Sequence, residues 1–175
     1  MSEMSNVYTT EKIDELISCP KAITEPPKKE MKVENGHKRN DMELTSKDGK
    51  LMFSVFLRVN IDFPENFSIG LRYLPEEERG SICLLIFNDP HGVFESYGKI
   101  PTSHFVPHIH KAKTENIEAG LRPEKDGELT EKFVTYEQAL PYFLQTINVI
   151  DAEVHFPNIT QNTLDFLSEA GNELH

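Results

Sequence analysis

Apolar and polar residues alternate with a period of two in residues 50–59 and again in residues 67–74, and this alternation limits the fold more than any other feature of the chain. Successive side chains of an extended strand point to opposite faces, so Leu57 and its alternate neighbours share one face. Arg58 and Arg72 then lie on the outward face of adjacent strands. Two outward arginines are either solubilising side chains or a clamp for a phosphate group.

Turn and helix signals around these strands predict an α+β fold. The dipeptide Asp48-Gly49 is a typical hairpin turn before residues 50–59. Residues 81–88 are apolar at almost every position, which favours a central strand covered on both faces. Helical patterns occur in residues 9–19, where Thr9 or Thr10 can cap the helix, and in residues 160–170. A third helical pattern follows Thr135, which forms a capping-box motif with Gln138. The order predicts an antiparallel sheet of about five strands with an N-terminal helix and two C-terminal helices.

The segment before residue 41 differs in composition from the rest. Residues 21–39 are rich in proline and glycine turns, which favours a poorly ordered or extended connector, and hold a basic cluster made of Lys28, Lys29, Lys32, Lys38 and Arg39. The sequence therefore predicts an N-terminal helix and basic connector in residues 1–40 and a single α+β domain in residues 41–175. Within that domain, residues 115–131 are predicted to be a loop or distorted hairpin that holds the acids Glu124, Asp126, Glu128 and Glu131 away from the core, and residues 148–156 are predicted to be extended.

Histidines are concentrated in two short segments. His104, His108 and His110 lie close together, and His91 follows the predicted central strand directly after Asp89-Pro90. Positions i and i+2 of a strand point the same way, so His108 and His110 are predicted to share one face. We therefore expect a functional site that includes His91, His108 and His110.

Metal binding is one chemistry that fits these residues. The pair His108 and His110 can offer two imidazoles to zinc or another divalent transition metal. His91, His104 or Asp89 would then supply the third ligand. Half-exposed strand histidines with ordinary hydrogen-bond roles are the simpler interpretation of the same pattern.

Acid–base cleavage of RNA is the other chemistry. One histidine would take the proton of a 2′-hydroxyl group, and a second would protonate the leaving oxygen. Arg58, Arg72 or Lys111 would stabilise the charged phosphorus centre. In this hypothesis the catalytic residues are His91, His108 and His110 with the two arginines, and the sequence leaves open whether the chain is an enzyme.

The charge of the chain is uneven, with a net charge of −11. Residues 114–175 contain 3 Lys or Arg against 12 Asp or Glu, which disfavours broad non-specific binding to nucleic acid but not a local basic groove. The motifs GxGxxG, GxxxxGK[ST] and GxSxG are missing, which argues against a nucleotide-dependent enzyme, a kinase or a serine hydrolase. We expect a cytoplasmic protein without membrane contact, since no apolar run approaches the length of a membrane span.

Four short stretches resemble a family of small, uncharacterised prokaryotic and phage domains. They are residues 13–21, residues 43–49, the strand end Asp89-Pro90-His91 and the strand Pro107-His108-Ile109-His110. Domains with a similar Pro-His-x-His strand are regarded as toxins of toxin–antitoxin pairs. The resemblance implies RNA or an antitoxin protein as the partner, and histidines as the active residues.

These features predict a small intracellular domain of prokaryotic or phage origin with a histidine-centred site acting on nucleic acid, for example as a ribonuclease-type toxin. The alternative is a non-enzymatic, acidic mobile-element protein that binds and inhibits a host protein. Its motivation is the acidic C-terminal third, which could face a basic partner surface. A metal-stabilised structural module is a third hypothesis.

Overall fold

The computed structural model describes residues 8–76, 80–88, 94–96, 100–102 and 106–156. In chain order the elements are α1 (Thr10–Ser18), β1 (Lys21–Glu25), β2 (Lys32–Glu34), β3 (His37–Ser46), β4 (Met52–Asn60), β5 (Phe67–Leu74), β6 (Ile82–Phe87), β7 (Phe94–Ser96), β8 (Ile100–Thr102), β9 (His108–Lys111), α2 (Thr114–Glu118), β10 (Gly127–Leu129), α3 (Tyr136–Thr146) and α4 (Ala152–His155). The fold is α+β with an antiparallel main sheet, which confirms the predicted class.

The main sheet is larger than predicted. Over the described residues it has eight strands rather than five, in the order β1-β3-β4-β5-β6-β9-β10, and β2 also pairs with β3. Neighbouring strands are antiparallel throughout. β6 lies between β5 and β9, which confirms that the apolar segment is a strand paired on both sides. β7 and β8 form a separate two-stranded sheet.

Segments predicted to lack regular structure supply most of the additional elements. The predicted connector contains β1 and β2, and β3 runs from His37 to Ser46 across residue 40. The predicted loop at residues 115–131 instead contains most of α2 and all of β10, and residues 148–156 contain α4 rather than an extended segment. Strands of three to five residues are too short to show a clear alternation in the sequence. They form because they pair with β3 and β9. The helix predicted at residues 160–170 lies outside the described residues.

Two of the helices begin at the threonines that the sequence indicates. The Thr9 side chain accepts a hydrogen bond from the backbone N–H of Lys12 at 3.1 Å, which caps α1. Thr135 and Gln138 form the predicted reciprocal capping box at the start of α3. α3 continues through Pro141 to Thr146.

The apolar core lies on one face of the sheet. Ile13 and Leu16 of α1 and Phe143 of α3 are buried in the same cluster as the inward residues of β4 and β5, among them Leu57 and Phe67. This packing confirms the predicted inward face of β4. The opposite face carries the alternate residues of the same strands. In the described part of the chain, no helix is both long and apolar enough to cross a membrane.

Candidate functional site

The face of the sheet opposite α1 and α3 carries a row of residues that crosses five strands. The strand register places Asp41 opposite Phe56, Phe56 opposite Gly70, Gly70 opposite Ile86 and Ile86 opposite His110. Residues directly opposite each other in a sheet point to the same face. His110 therefore lies on the face that also carries the outward arginines.

Four arginines line one cavity of about 310 Å³ on this face, and we call it the arginine cavity. They are Arg39, Arg58, Arg72 and Arg122, which are four of the five arginines in the chain. Two acids, Asp41 and Glu124, also contribute to its wall. A chain with a net charge of −11 thus places an excess of two positive charges around one cavity.

Arg39 and Arg58 occupy directly opposite positions of β3 and β4. Like charges in directly opposite positions destabilise a strand pair. The Nε atom of Arg39 is buried and has no hydrogen-bond partner among the described residues. Buried donors in folded proteins are nearly always bonded, so this N–H group indicates a place where an acceptor is needed.

Arg72 and Phe56 form a stacked pair in the wall of the cavity. The Arg72 guanidinium carbon lies 4.6 Å from the centre of the Phe56 ring, which is a cation–π arrangement. The ring itself lies against Gly70, and a Cβ atom at that position would overlap it. Gly70 is therefore needed because the aromatic ring occupies the space of its side chain.

A β-bulge places Cys83 opposite Arg72. Leu71 pairs with Leu85 whereas Arg72 pairs with Cys83, so Leu84 is an additional residue in β6. Leu84 is fully buried, and Cys83 lines the arginine cavity. Cys83 and Cys19 are both half-buried thiols rather than a disulfide, which gives the cavity one reactive group that chemical labelling can report.

His108 and His110 lie side by side as predicted, but they are buried rather than half-exposed. Their ring centres are 5.0 Å apart, and their side chains are 0% and 3% exposed. His108 Nδ1 lies 2.7 Å from the carbonyl oxygen of Val106, and His110 Nδ1 lies 2.9 Å from that of Glu124. Because a carbonyl oxygen only accepts, each Nδ1 carries the proton, and in a neutral ring Nε2 keeps the lone pair.

Asn88 fixes the strand that carries the histidines. Its side-chain Oδ1 accepts the backbone N–H of His108 at 2.9 Å, and its own backbone N–H donates to the His108 carbonyl oxygen at 2.9 Å. The residue has a φ of 58°, in the left-handed region, where asparagine is tolerated better than most residues. Among the described residues, its buried Nδ2 has no hydrogen-bond partner.

The turn before β10 connects His110 to the cavity. The Glu124 carbonyl oxygen accepts a hydrogen bond from His110, and its carboxylate pairs with Arg122, with 3.2 Å between Oε1 and Nε. Its side chain is buried, so our view of the acids in this segment as exposed loop charges is wrong for Glu124. Asp126 accepts a hydrogen bond from Asn116 at 3.0 Å, which lowers the pKa of its carboxyl group, with Lys113 acting in the same direction.

The structure brings only some of the predicted site residues close together. Arg58 and Arg72 both line the cavity, while His108 and His110 lie beside it in β9 and are not among its lining residues. His91, together with His104 and Asp89, lies outside the described residues. Lys111, the third cation that the sequence suggested, forms an ion pair with Asp14 of α1 on the helix side of the sheet.

Four residues of the site were not predicted from the sequence: Arg39, Arg122, Asn88 and Glu124. Arg39 was assigned to the basic connector, although it alternates with Asp41 in a pattern that β3 continues. Arg122 and Glu124 precede a strand of three residues, which is too short to show a period. Nothing in the sequence marks Asn88, because its role depends on the pairing of β6 with β9.

Two residues of the predicted zinc site, His108 and His110, lie side by side. The Nε2 atoms of His108 and His110 are the nitrogens that a metal would use, since each Nδ1 is bonded to a carbonyl group. Among the residues that the structure describes, no group of three or more His, Cys, Asp or Glu side chains could hold a metal ion. The metal site stays a prediction, because the candidate third ligands are not among those residues.

Comparison of the chain with protein-family models, curated proteins and solved structures found no match. The resemblance based on short motifs therefore stays a prediction.

Proposed function

We propose that the protein binds a phosphate-bearing ligand of the nucleotide or nucleic-acid class in the arginine cavity. The observation that carries this proposal is the position of Arg39, Arg58, Arg72 and Arg122 around one cavity of a protein with a net charge of −11. Arginines without a common ligand would be expected to spread over an acidic surface. Four around one concave site favour an anion.

Guanidinium groups suit phosphate because their planar, forked donors match its oxygen atoms in pairs. Arg39 and Arg58 place like charges in directly opposite positions, so their guanidinium groups repel each other. A phosphate would relieve this repulsion and accept from the buried Nε of Arg39. The cost of gathering these charges is thus offset by the ligand.

Titration calorimetry with adenosine monophosphate and with a short RNA tests this proposal. We expect Arg58→Gln and Arg72→Gln to weaken binding by about 10- to 100-fold each, because a hydrogen bond to a charged group is worth about 1.5–3 kcal/mol. Lys50→Gln, which removes an exposed cation from the β3–β4 turn, is the matched control and should bind as the wild type does. Equal binding by all four proteins, or no binding of either probe, would overturn the proposal.

Alkylation of Cys83 gives a second test in the same samples. A ligand in the cavity should protect Cys83 from a maleimide reagent, because this thiol is part of the cavity wall. Cys19 is equally half-buried but lies at the end of α1, so it serves as the internal control. Protection of both thiols to the same degree would indicate general stabilisation and not occupancy of the cavity.

RNA cleavage is the reaction that we propose for this site, with growth arrest of a bacterial host as its cellular effect. The support is the tautomer of the two histidines: each Nδ1 donates to a carbonyl oxygen, so Nε2 is the nitrogen that would exchange a proton with RNA. In the proposed reaction the 2′-oxygen attacks phosphorus as one histidine removes its proton. The other histidine, which enters the step as an imidazolium protonated at Nε2 as well as Nδ1, gives its Nε2 proton to the 5′-oxygen as the P–O5′ bond breaks and a 2′,3′-cyclic phosphate forms. The scissile phosphate must reach these buried rings past the cavity wall that Arg122 and Glu124 form.

Inhibition of a host protein is the second candidate function, and exposed acids favour it. Asp126, Glu128 and Glu131 are exposed around β10, in the acidic C-terminal third. The double change Glu128→Lys and Glu131→Lys should abolish capture of a basic partner protein without affecting the fold, because neither side chain belongs to the core. If host growth arrest survives this change but is lost in Arg58→Gln, the inhibitor function is excluded in favour of the cavity.

A further inference from the structure

We infer that the arginine cavity takes a single nucleotide unit, either a free mononucleotide or the terminal nucleotide of a strand, rather than the middle of a nucleic-acid strand. This inference rests on the proposed phosphate binding and names the class of its ligand. It follows from the size of the cavity, from the charges beside it and from the Arg72–Phe56 pair.

The size of the cavity suits one small ligand. Its volume of about 310 Å³ is at the lower end of ligand sites. Such sites usually measure roughly 300–1,000 Å³. A strand that passed through would need a continuing groove on both sides, with cations for the phosphates that follow.

The adjoining groove has the wrong charge for such a strand. A second cavity of about 370 Å³ shares Arg39, Asn40 and Asp41 with the first. Four carboxylates line it, from Glu25, Glu34, Asp41 and Glu43, against three cations. One of those cations, Lys32, lies 3.8 Å from Glu34 and is partly neutralised by it. The sign of the surface charge therefore changes at Arg39, and a second phosphate placed beyond that residue would be repelled.

Hydrogen bonds of Asn40 hold the wall of this second cavity in place. The Asn40 side chain accepts from the backbone N–H of Lys28 at 3.1 Å and donates to the carbonyl oxygen of the same residue at 2.8 Å. These two bonds join the segment before β2 to β3. The acids of the second cavity are thus held next to the arginines and limit how far an anionic ligand can extend.

The Arg72–Phe56 pair indicates a nucleotide rather than a simple phosphate ester. Phe56 lies on Gly70, and the Arg72 guanidinium lies over Phe56, so the layers are already stacked. Nucleobases stack on arginine planes as they do on aromatic rings. A base over Arg72 would extend this stack, with its phosphate near Arg39 and Arg58.

Competition binding against a fluorescent adenosine monophosphate tests the inference. The competitors are adenosine monophosphate, ribose 5-phosphate, a linear eight-nucleotide single strand with a 5′-phosphate, and a circular single strand of the same length, each strand as RNA and as DNA. We expect the linear strand to compete within about threefold of the mononucleotide, because only its terminal phosphate is held. The circular strand has no end and should compete at least tenfold more weakly. Competition by the free nucleotide alone would assign the site to mononucleotides, and equal competition by the linear strand would add strand ends.

Two sets of variants separate the effect of the acids in the second cavity from the effect of the Arg72 guanidinium plane. Glu34→Gln combined with Glu43→Gln should strengthen binding of the linear strand several-fold and leave the mononucleotide unchanged, since these acids line only the second cavity. Glu15→Gln, an exposed acid of α1, is the matched control. Arg72→Lys keeps the charge but removes the plane, so it should abolish the preference for adenosine monophosphate over ribose 5-phosphate.

The outcomes distinguish this inference from the proposed function. Equal competition by circular and linear strands, or affinity that rises steadily with strand length, would overturn the single-nucleotide inference and leave phosphate binding intact. Equal affinity for adenosine monophosphate and ribose 5-phosphate would remove the nucleotide class while retaining the phosphate. If no phosphate compound binds, both proposals are wrong.

Discussion

Lys21 Nζ donates a hydrogen bond of 2.8 Å to the carbonyl oxygen of Ile147, which lies 126 residues further along the chain. The same ammonium group donates to the carbonyl oxygens of Ile17 at 2.7 Å and Cys19 at 2.9 Å. Its side chain is fully buried. These acceptors belong to the C-terminal ends of α1 and α3, where helix carbonyls lack partners and carry partial negative charge. One lysine thus caps the C-terminal ends of two helices and connects both of them to β1.

Replacing Lys21 with methionine should therefore cost more than an ordinary surface change. The methionine fills most of the space but removes the donor that Nζ supplies to the carbonyl oxygens of Ile17, Cys19 and Ile147, of which the first and the last bonds are buried. We expect the free energy of unfolding to fall by about 3 kcal/mol, measured by urea denaturation. Lys29→Met, in the exposed segment between β1 and β2, should change it by less than about 0.5 kcal/mol. Similar effects of both changes would show that the three hydrogen bonds contribute little.

Lys21 should also make the stability depend on pH. Burial lowers the pKa of its ammonium group from 10.5 to about 8, against an opposing effect of Cys19. Because the folded state then binds this proton less tightly than the unfolded state, the unfolding free energy rises with pH between about 8 and 10.5. Below pH 8 this gain is lost. The difference in unfolding free energy between the wild type and Lys21→Met removes the other titrating groups from the comparison. It should shift in favour of the wild type as the pH rises, and a constant difference would mean an unshifted pKa.

The helix caps show what the sequence could predict about the fold and what it could not. Thr9 and Thr135 were predicted because a cap bonds a backbone group two or three residues away. Lys21 looks like any other basic residue beside a proline, because its distant acceptor at Ile147 becomes a neighbour only when α1 and α3 are both folded. The strands β1 and β2 were missed for a similar reason, since their partners lie in β3.

Gly70→Ala tests the layered structure of the cavity wall. The backbone at Gly70 does not require a positive φ, so the effect of a Cβ comes from its overlap with the Phe56 ring. We expect a loss of about 1–3 kcal/mol in the free energy of unfolding, as for other overpacked sites. Nucleotide binding should weaken too, because the displaced ring moves Arg72. Gly80→Ala is the control, since a Cβ there meets nothing within 4 Å.

A double variant separates crowding from other effects of the alanine. Phe56→Leu replaces the aromatic ring with a smaller side chain, so Gly70→Ala should cost less in that background than in the wild type. Binding that depends on stacking should not return, because the leucine cannot support the guanidinium plane. Equal costs in both backgrounds would show that Phe56 is not the obstacle.

The arginine cavity was predictable only where alternation reports the face of a strand. Arg58 and Arg72 were placed on one face because β4 and β5 alternate regularly. Their register was not predictable, and it places them opposite Ser68 and Ser54, on either side of the Phe56–Gly70 pair. Arg122 reaches the same cavity from a turn, and no periodicity extends to it. Convergence of side chains from β3, β4, β5 and a turn depends on tertiary structure.

The metal hypothesis predicts that His108 and His110 act as ligands through Nε2. Protein stripped with a chelator should take up about one zinc ion per chain and unfold at a higher temperature. His108→Asn should prevent uptake, because the asparagine nitrogen can replace Nδ1 at the Val106 carbonyl but supplies no ligand at the position of Nε2. Absence of stoichiometric uptake by the wild type, measured by elemental analysis, would remove this hypothesis.

His110→Asn compared with His110→Ala decides whether this histidine performs chemistry or only positions the cavity wall. Asparagine keeps a donor for the Glu124 carbonyl and removes Nε2, whereas alanine removes both. If Nε2 exchanges protons with RNA, both variants should lose cleavage by about a hundredfold or more. His110→Ala should also lose stability, since the buried carbonyl of Glu124 is left without its donor. The assay is cleavage of host RNA by purified protein, followed across pH, with urea unfolding of each variant.

If His110→Asn cleaves RNA at the rate of the wild type, His110 holds the turn that contains Arg122 and Glu124 and does not take part in the reaction. Absence of cleavage by the wild type would exclude the ribonuclease reaction and leave ligand binding in the arginine cavity to be judged on its own tests.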